Sequence, residues 1–231
     1  MTSPLRIIGF DADDTLWQNE VFYRLTEGQF TELLADFAEP DHLSDRLLAA
    51  ERRNLKQYGF GIKGFTLSMI ETAIEVTDGR VPAGVIGRIL AAGRDLHSHP
   101  IEILPEARAA LEHVAGRFRV VLITKGDLFD QERKLAQSGL GDFFDAVEIV
   151  SDKTTNTYRR IFADPGPEAA MMIGNSVKSD VVPAIEAGSW GIHVPHDLEW
   201  AIEAAELPVT SPRFRQVPDL GHLPALIDSL T

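Results

Sequence analysis

Acids, hydroxyls and lysines gather at a few points of the chain. "FDADDT" places Asp11, Asp13, Asp14 and Thr15 together. "LITKG" ends in Thr124, Lys125 and Gly126, and "VSDK" in Ser151, Asp152 and Lys153. "IGNS" ends in Gly174, Asn175 and Ser176, with Asp180 shortly after. Asp11 and Asp13 are two residues apart, so in an extended chain both project to one side. Two carboxylates that close do not both ionise without compensation: a cation lies between them, or one keeps a proton. Asp180 would add a further hard oxygen. Such a set suits Mg²⁺, which takes a few carboxylates, keeps several waters and binds phosphate oxygens. Thr124, Lys153 and the backbone N–H groups around Lys125 would bind an anion. A cation, an anion site and two unequal carboxylates fit phosphoryl transfer, one Asp attacking phosphorus and the other handling protons.

Each cluster follows a short apolar run. Residues 5–10, 118–124, 144–150 and 168–174 read as buried strands, and residues 190–195 as another. Between the later strands, residues 107–115, 128–138, 155–162 and 180–187 have helical spacing. That alternation implies right-handed βαβ units and a mainly parallel sheet sandwiched by helices, an α/β, Rossmann-like fold. In such sheets ligands sit outside the carboxyl ends of the strands. The stretch 20–95 differs: apolar residues recur at helical spacing, with breaks at Pro40-Asp41, "GFGIKG" and "DGRVP". We expect four helices there. The predicted organisation is an α/β domain of residues 1–16 and 98–231, interrupted by an all-helical insert, 17–97. The segment 207–230 predicts a short edge element and a closing helix.

The 231 residues suffice for one large domain or a core with an insert. Net charge is −13, and no Lys/Arg run exceeds a pair. Both argue against nucleic acid or an anionic membrane as partner. The absence of cysteine excludes disulfides, thiolate zinc sites and cysteine nucleophiles. No run reaches the ~18 apolar residues a membrane span needs, and no apolar leader is evident. A cytoplasmic monomer or homodimer is the expectation. Neither a nucleophile elbow, a P-loop nor a dinucleotide fingerprint is present.

"FDADDT" matches the D-x-D-x-T signature of the haloacid dehalogenase (HAD) superfamily. "VVLITKG" resembles its second motif, Lys153 falls where its lysine would, and "MMIGNSVKSDVVPAIEAG" resembles its fourth motif. The resemblance implies a phosphatase-type member with a helical cap inserted after motif one, acting on a small phosphorylated metabolite. Asp11 would be the nucleophile that forms an aspartyl-phosphate. Asp13 would be the general acid/base and would ligate Mg²⁺ through its carbonyl. Thr124 and Lys153 would hold the phosphoryl group, and Asp180 would be an acidic metal-site residue. Asn175 stands where the family usually has Asp. It implies weaker Mg²⁺ binding, or a larger share for Asp180. Superfamily dehalogenases resemble the pattern at the first Asp but lack the second, so Asp13 points to a phosphatase.

Plainer readings compete at several positions. Asp14 is expected to be an exposed or helix-capping acid, and Lys125 to turn its side chain to solvent while its N–H serves the site. Asn175 and Ser176 would cap the following helix as readily as serve the site. Lys178 and Ser179 read as surface or cap residues. Trp17, Phe22 and Tyr23 read as packing. His97, His99, His193 and His196 lack the spacing of a metal pair. Two other functions stay open: a 2-haloacid dehalogenase, and a non-catalytic regulator that binds phosphate or Mg²⁺.

Overall fold

A computed structural model describes residues 4–231. Six strands form its sheet: β1 (Ile7–Phe10), β2 (Arg119–Lys125), β3 (Ala146–Val150), β4 (Ala170–Gly174), β5 (Trp190–His193) and β6 (Phe214–Gln216). Their order is β3-β2-β1-β4-β5-β6, and every neighbouring pair is parallel. The fold is α/β and Rossmann-like, as the alternation predicts. β1, though first in the chain, is central and pairs only with strands that arrive more than a hundred residues later.

The strands have apolar side chains on both faces because helices cover both. Ile8, Phe10, Val120, Leu122, Met171 and Ile173 share one core with α5 (Ala107–Val114) and α9 (Leu223–Leu230). Their neighbours in sequence, Ile7, Val121, Ile123, Ala170 and Met172, point the other way. There they meet Tyr158 and Phe162, at and just past α7 (Thr155–Ile161), and Ala184 of α8 (Val182–Ala187). Each fully buried large side chain contributes roughly 1.5–3 kcal/mol. This two-sided burial fixes the register, since a one-residue slip would exchange the faces. Register matters for function because it aligns the carboxyl ends: Phe10 is level with Leu122 and Ile173. Asp11 N–H then donates to the Ile173 carbonyl at 2.9 Å, carrying the β1–β4 pairing one residue further.

The chain divides into two compact units. The first comprises the chain up to Glu20, Ile101–Lys125 and Gln131–Thr231. The second is Val21–Pro100 with Gly126–Asp130. α6 (Leu128–Ser138) runs through that division. The second unit is helical, as its spacing predicts: α1 (Glu20–Leu33, whose first residue belongs to the first unit), α2 (Pro40–Tyr58), α3 (Ile62–Val76) and α4 (Ala83–Ser98). Phe30, Leu34, Leu43, Leu47, Met69 and Ile89 form its core. Phe22 and Tyr23 pack against that core. Among the described residues no helix is long and apolar enough to cross a membrane.

Candidate active site

Three clusters of polar side chains occupy the carboxyl end of the sheet, all within the first unit. The first surrounds Asp11, which is buried directly after β1. Lys153, in the turn between β3 and α7, bonds to Asp11 Oδ1 and lies 2.7 Å from Asp180 Oδ1. Asp180 Oδ2 accepts the Ser176 N–H at 3.0 Å. All three charged groups are 6 % exposed or less. Burial and the Asp180 charge push the Asp11 pKa up to about 7, with Lys153 opposing them. Burial alone would lower the Lys153 pKa, but the two carboxylates outweigh it and raise it. One ammonium between two carboxylates leaves a buried excess of negative charge.

Gly174 makes this arrangement possible. A Cβ there would stand 2.2 Å from Asp180 Oδ2, so only glycine lets the carboxylate lie over the end of β4. The turn that follows, Val177–Val181, is a single π-helical turn rather than the start of an ordinary helix. That corrects the predicted helix start at Asp180. Ser176 caps the turn by accepting the Ser179 N–H, so the capping expectation holds for Ser176. Ser179 is buried rather than a surface residue.

Thr15 joins the first and fourth strand ends. Its hydroxyl donates to Asp11 Oδ2 at 2.8 Å, lies 3.3 Å from Asn175 Oδ1 and accepts the Asn175 N–H at 3.0 Å. The Asp11 and Asn175 oxygens therefore converge on one atom. His193 Nε2 is 3.0 Å from the Asn175 carbonyl, and burial lowers the His193 pKa.

The second cluster surrounds Asp13. Its carboxylate accepts hydrogen bonds from Trp17 Nε1 at 2.7 Å, Gln131 Nε2 at 2.8 Å and Lys134 Nζ at 3.0 and 3.1 Å. Burial would raise its pKa, but the Lys134 charge and these donors reverse the sign and lower it. Thr124, also buried, donates to Gln131 Oε1 at 3.2 Å, so Gln131 links the second strand end to Asp13. Trp17 is fully buried, as the packing expectation holds, and it also serves Asp13.

The third cluster corrects the reading of Lys125. Its side chain is not turned to solvent: Nζ lies 2.7 Å from Ser179 Oγ and 2.6 Å from Glu203 Oε1. Asp14 is likewise buried rather than exposed, with φ of 60°. It does act as a cap, accepting the N–H groups of Asn19 and Glu20 at 2.9 and 3.0 Å. Burial raises its pKa to about 6 against those donors.

Sequence reasoning missed Gln131, Lys134 and Glu203. A signal for the first two exists: buried polar residues at Gln131, Lys134 and Ser138 follow the helical period, so α6 turns a polar stripe inward. Glu203 sits in a loop and belongs to no motif. His97 lies 3.1 Å from Asp130, and His99 stacks on Phe22. Among the described residues no three His, Cys, Asp or Glu side chains converge to hold a metal ion.

Comparison with known proteins bears directly on this arrangement. The model of the haloacid dehalogenase-like hydrolase family matches residues 5–188. The chain belongs to the haloacid dehalogenase-like hydrolases. No curated protein matches it. A haloacid dehalogenase-like family hydrolase of Xanthomonas campestris is 43% identical, with a TM-score of 0.88 over 100% of this chain and 97% of that one. Two HAD-type structures with different chemistry share the fold at lower identity. A 2-haloacid dehalogenase of Pseudomonas syringae is 19% identical, with a TM-score of 0.60 over 98% of this chain and 100% of that one. A HAD phosphatase of Thermococcus onnurineus is 17% identical, with a TM-score of 0.59 over 96% and 98%. This HAD-like hydrolase thus shares its fold with proteins named for both reactions.

Proposed function

We propose that this HAD-like hydrolase is a Mg²⁺-dependent phosphohydrolase that cleaves a small phosphorylated metabolite through an aspartyl-phosphate on Asp11. The observation that carries the reading is Asp13, a second carboxylate beside the nucleophile, hydrogen-bonded by Gln131, Lys134 and Trp17. A phosphate ester needs a proton delivered to its leaving oxygen, and hydrolysis of the acyl phosphate needs one removed from water.

In the first step an Asp11 oxygen attacks phosphorus. The bond to the leaving oxygen breaks, and that oxygen takes a proton from Asp13, which the negative phosphoryl group would help to protonate against the pull of Lys134. In the second, Asp13 takes a proton from the water that attacks phosphorus, releasing phosphate and regenerating Asp11. Lys153 and the Thr124 hydroxyl hold the phosphoryl oxygens, and Lys153 balances the charge of Asp11. Lys125 contributes its backbone N–H.

The Asp11 carboxylate and the Asn175 Oδ1 that converges with it on Thr15 are donors that suit a hard cation, and the family resemblance adds the Asp13 carbonyl. Asp180, whose oxygens accept Lys153 and the Ser176 N–H, would stand beside these donors as the site's further acidic residue. When bound, Mg²⁺ neutralises charge on the phosphoryl oxygens. The neutral Asn175 makes for weak metal binding. We read residues 17–97 as the family's cap, which would select small substrates.

The test is a phosphatase screen over sugar phosphates, nucleotides and phosphorylated cofactors, with and without Mg²⁺, on the wild type and Asp11→Asn. Hydrolysis that needs Mg²⁺ and is lost in Asp11→Asn is the expected result. Unchanged turnover in the variant sinks the reading. The dehalogenase alternative draws on one observation, the lowered pKa of Asp13, which disfavours its role as a proton donor. Metal-free release of halide from a 2-haloacid would establish it.

A further inference from the structure

Glu203 lies beyond residue 188, where the family match ends, yet it reaches the carboxyl end of the sheet. It sits in the connection between β5 and β6, and its side chain is 12% exposed. Its carboxylate is fully engaged. Oε1 accepts Lys125 at 2.6 Å, and Oε2 accepts the hydroxyls of Ser176, at 2.7 Å, and Ser179. Burial would raise the Glu203 pKa, but the Lys125 charge and these donors lower it, so the group is a carboxylate. The same connection is pinned by Lys178, whose Nζ donates to the Ile202 carbonyl at 2.7 Å. The ends of β2, through Lys125, and β4, through Ser176 and Ser179, thus meet on one side chain of the β5–β6 connection.

We infer that Glu203 is a positioning residue for substrate binding: it holds the Lys125 ammonium at the carboxyl end of the sheet, where it orients the anionic substrate. Lysine's long side chain carries rotamer entropy, which a free ammonium would lose on binding an anion. Glu203 and Ser179 remove that freedom beforehand. A purely structural role explains the pair poorly, because a partly buried ion pair is weak in stabilising a fold compared with apolar packing. The same serines shape the turn whose Ser176 N–H bonds Asp180, so Glu203 also steadies the partner of Lys153.

The inference rests on the phosphohydrolase reading, and the experiment separates the two. Hydrolysis of p-nitrophenyl phosphate and its competitive inhibition by inorganic phosphate are measured for the wild-type chain, Glu203→Gln, Lys125→Met and the double variant, with thermal melts of each. Both single variants should raise KM and the inhibition constant of phosphate about tenfold, the scale of one charge-assisted hydrogen bond, with kcat little changed. The double variant should be no worse than Lys125→Met, as for two groups acting in series. Lys125→Met breaks the same pair from the other end should Glu203→Gln fold poorly. A Glu203→Gln variant with a lowered melting temperature but wild-type KM and phosphate inhibition overturns the inference, as do additive effects. A wild type inert to both ligands overturns the phosphatase reading and this inference with it.

Discussion

Charged pairs occur in both units, at similar distances and in opposite surroundings. At the carboxyl end of the sheet Lys153 joins Asp11 and Asp180, and the three side chains are 2%, 9% and 0% exposed. In the helical unit Arg53 meets Glu71 and Glu75 at 3.3 and 2.7 Å, and Arg46 meets Glu75 at 2.6 Å, with side chains 29–47% exposed. The helical unit buries Leu34, Leu43, Met69 and Ala73 at zero exposure, together with the neutral Asn54, Ser68 and Thr72. The distances alone would rank the pairs as equals. Desolvation separates them: charge taken out of water is costly unless compensated, while exposed pairs are screened and weak. The pKa displacements to about 7 and about 6, at Asp11 and Asp14, lie in the first unit. A fold stabilises itself well enough with an apolar interior. Buried, unequally compensated carboxylates are what single out the first unit as the candidate site.

The largest effect follows from removing the cation at the centre of that contrast. Lys153→Met leaves Asp11 and Asp180 buried without a counter-charge, and should cost about 3–5 kcal/mol of stability at neutral pH. Urea denaturation without added metal measures it. A cost below about 1 kcal/mol would place this ion pair with the surface ones and erase the distinction.

Next in size is a pH effect at Asp14. Its folded pKa is about 6, raised from 3.8. Between those values the folded chain binds more protons than the unfolded one. The Asp14 contribution is therefore most favourable at low pH and declines as pH rises from about 4 to about 6. Asp14→Asn keeps an oxygen for the N–H groups of Asn19 and Glu20 but does not titrate. Relative to wild type it should gain up to about 3 kcal/mol between pH 4 and pH 7. Equal differences in urea midpoint at both pH values would contradict the assigned cause.

How much of this was legible differs between strand ends and what lies around them. The parallel sheet, the four-helix insert, the edge element and closing helix follow from periodicity, because burial on one or two faces writes itself into apolar spacing. Asp11, Thr124, Lys153 and Asp180 could be found because each follows an apolar run. Asp13 could be found too, but its partners could not. Gln131 and Lys134 lie more than a hundred residues away, and only the fold brings α6 to the first strand end. Lys125 reads as solvent-facing in the sequence for the same reason. Its partner Glu203 lies in an irregular connection, where spacing carries no information. Ranges also shifted at the ends of elements. The turn after β4 became π-helical, with Asp180 inside it drawn to Lys153 and the Ser176 N–H.

A smaller effect sharpens the contrast by adding charge to the buried cluster. Asn175→Asp places a carboxylate where Oδ1 converges with Asp11 on Thr15. Without metal it should lower stability, because it adds to the negative excess that already raises the Asp11 pKa. With metal it should tighten Mg²⁺ binding by about tenfold, or about 1.4 kcal/mol, measured by calorimetry. Unchanged Mg²⁺ affinity would remove Asn175 from the donor set.

The smallest effect belongs to the helical unit, and it is the control on the whole comparison. Arg53→Met breaks contacts to two carboxylates at once, Glu71 and Glu75. If the number and distance of contacts decided their worth, it would rival Lys153→Met, which also breaks two. Exposure predicts otherwise. Arg53 is 47% exposed and its partners stay in water when it is lost, so the variant should cost at most about 1 kcal/mol. That cost should shrink as salt is raised toward 1 M, where the screening length falls to about 3 Å. The cost of Lys153→Met should hardly respond, because no salt solution reaches the pair. A salt-insensitive loss of several kcal/mol at Arg53 would mean that burial is not what sets the two regions apart.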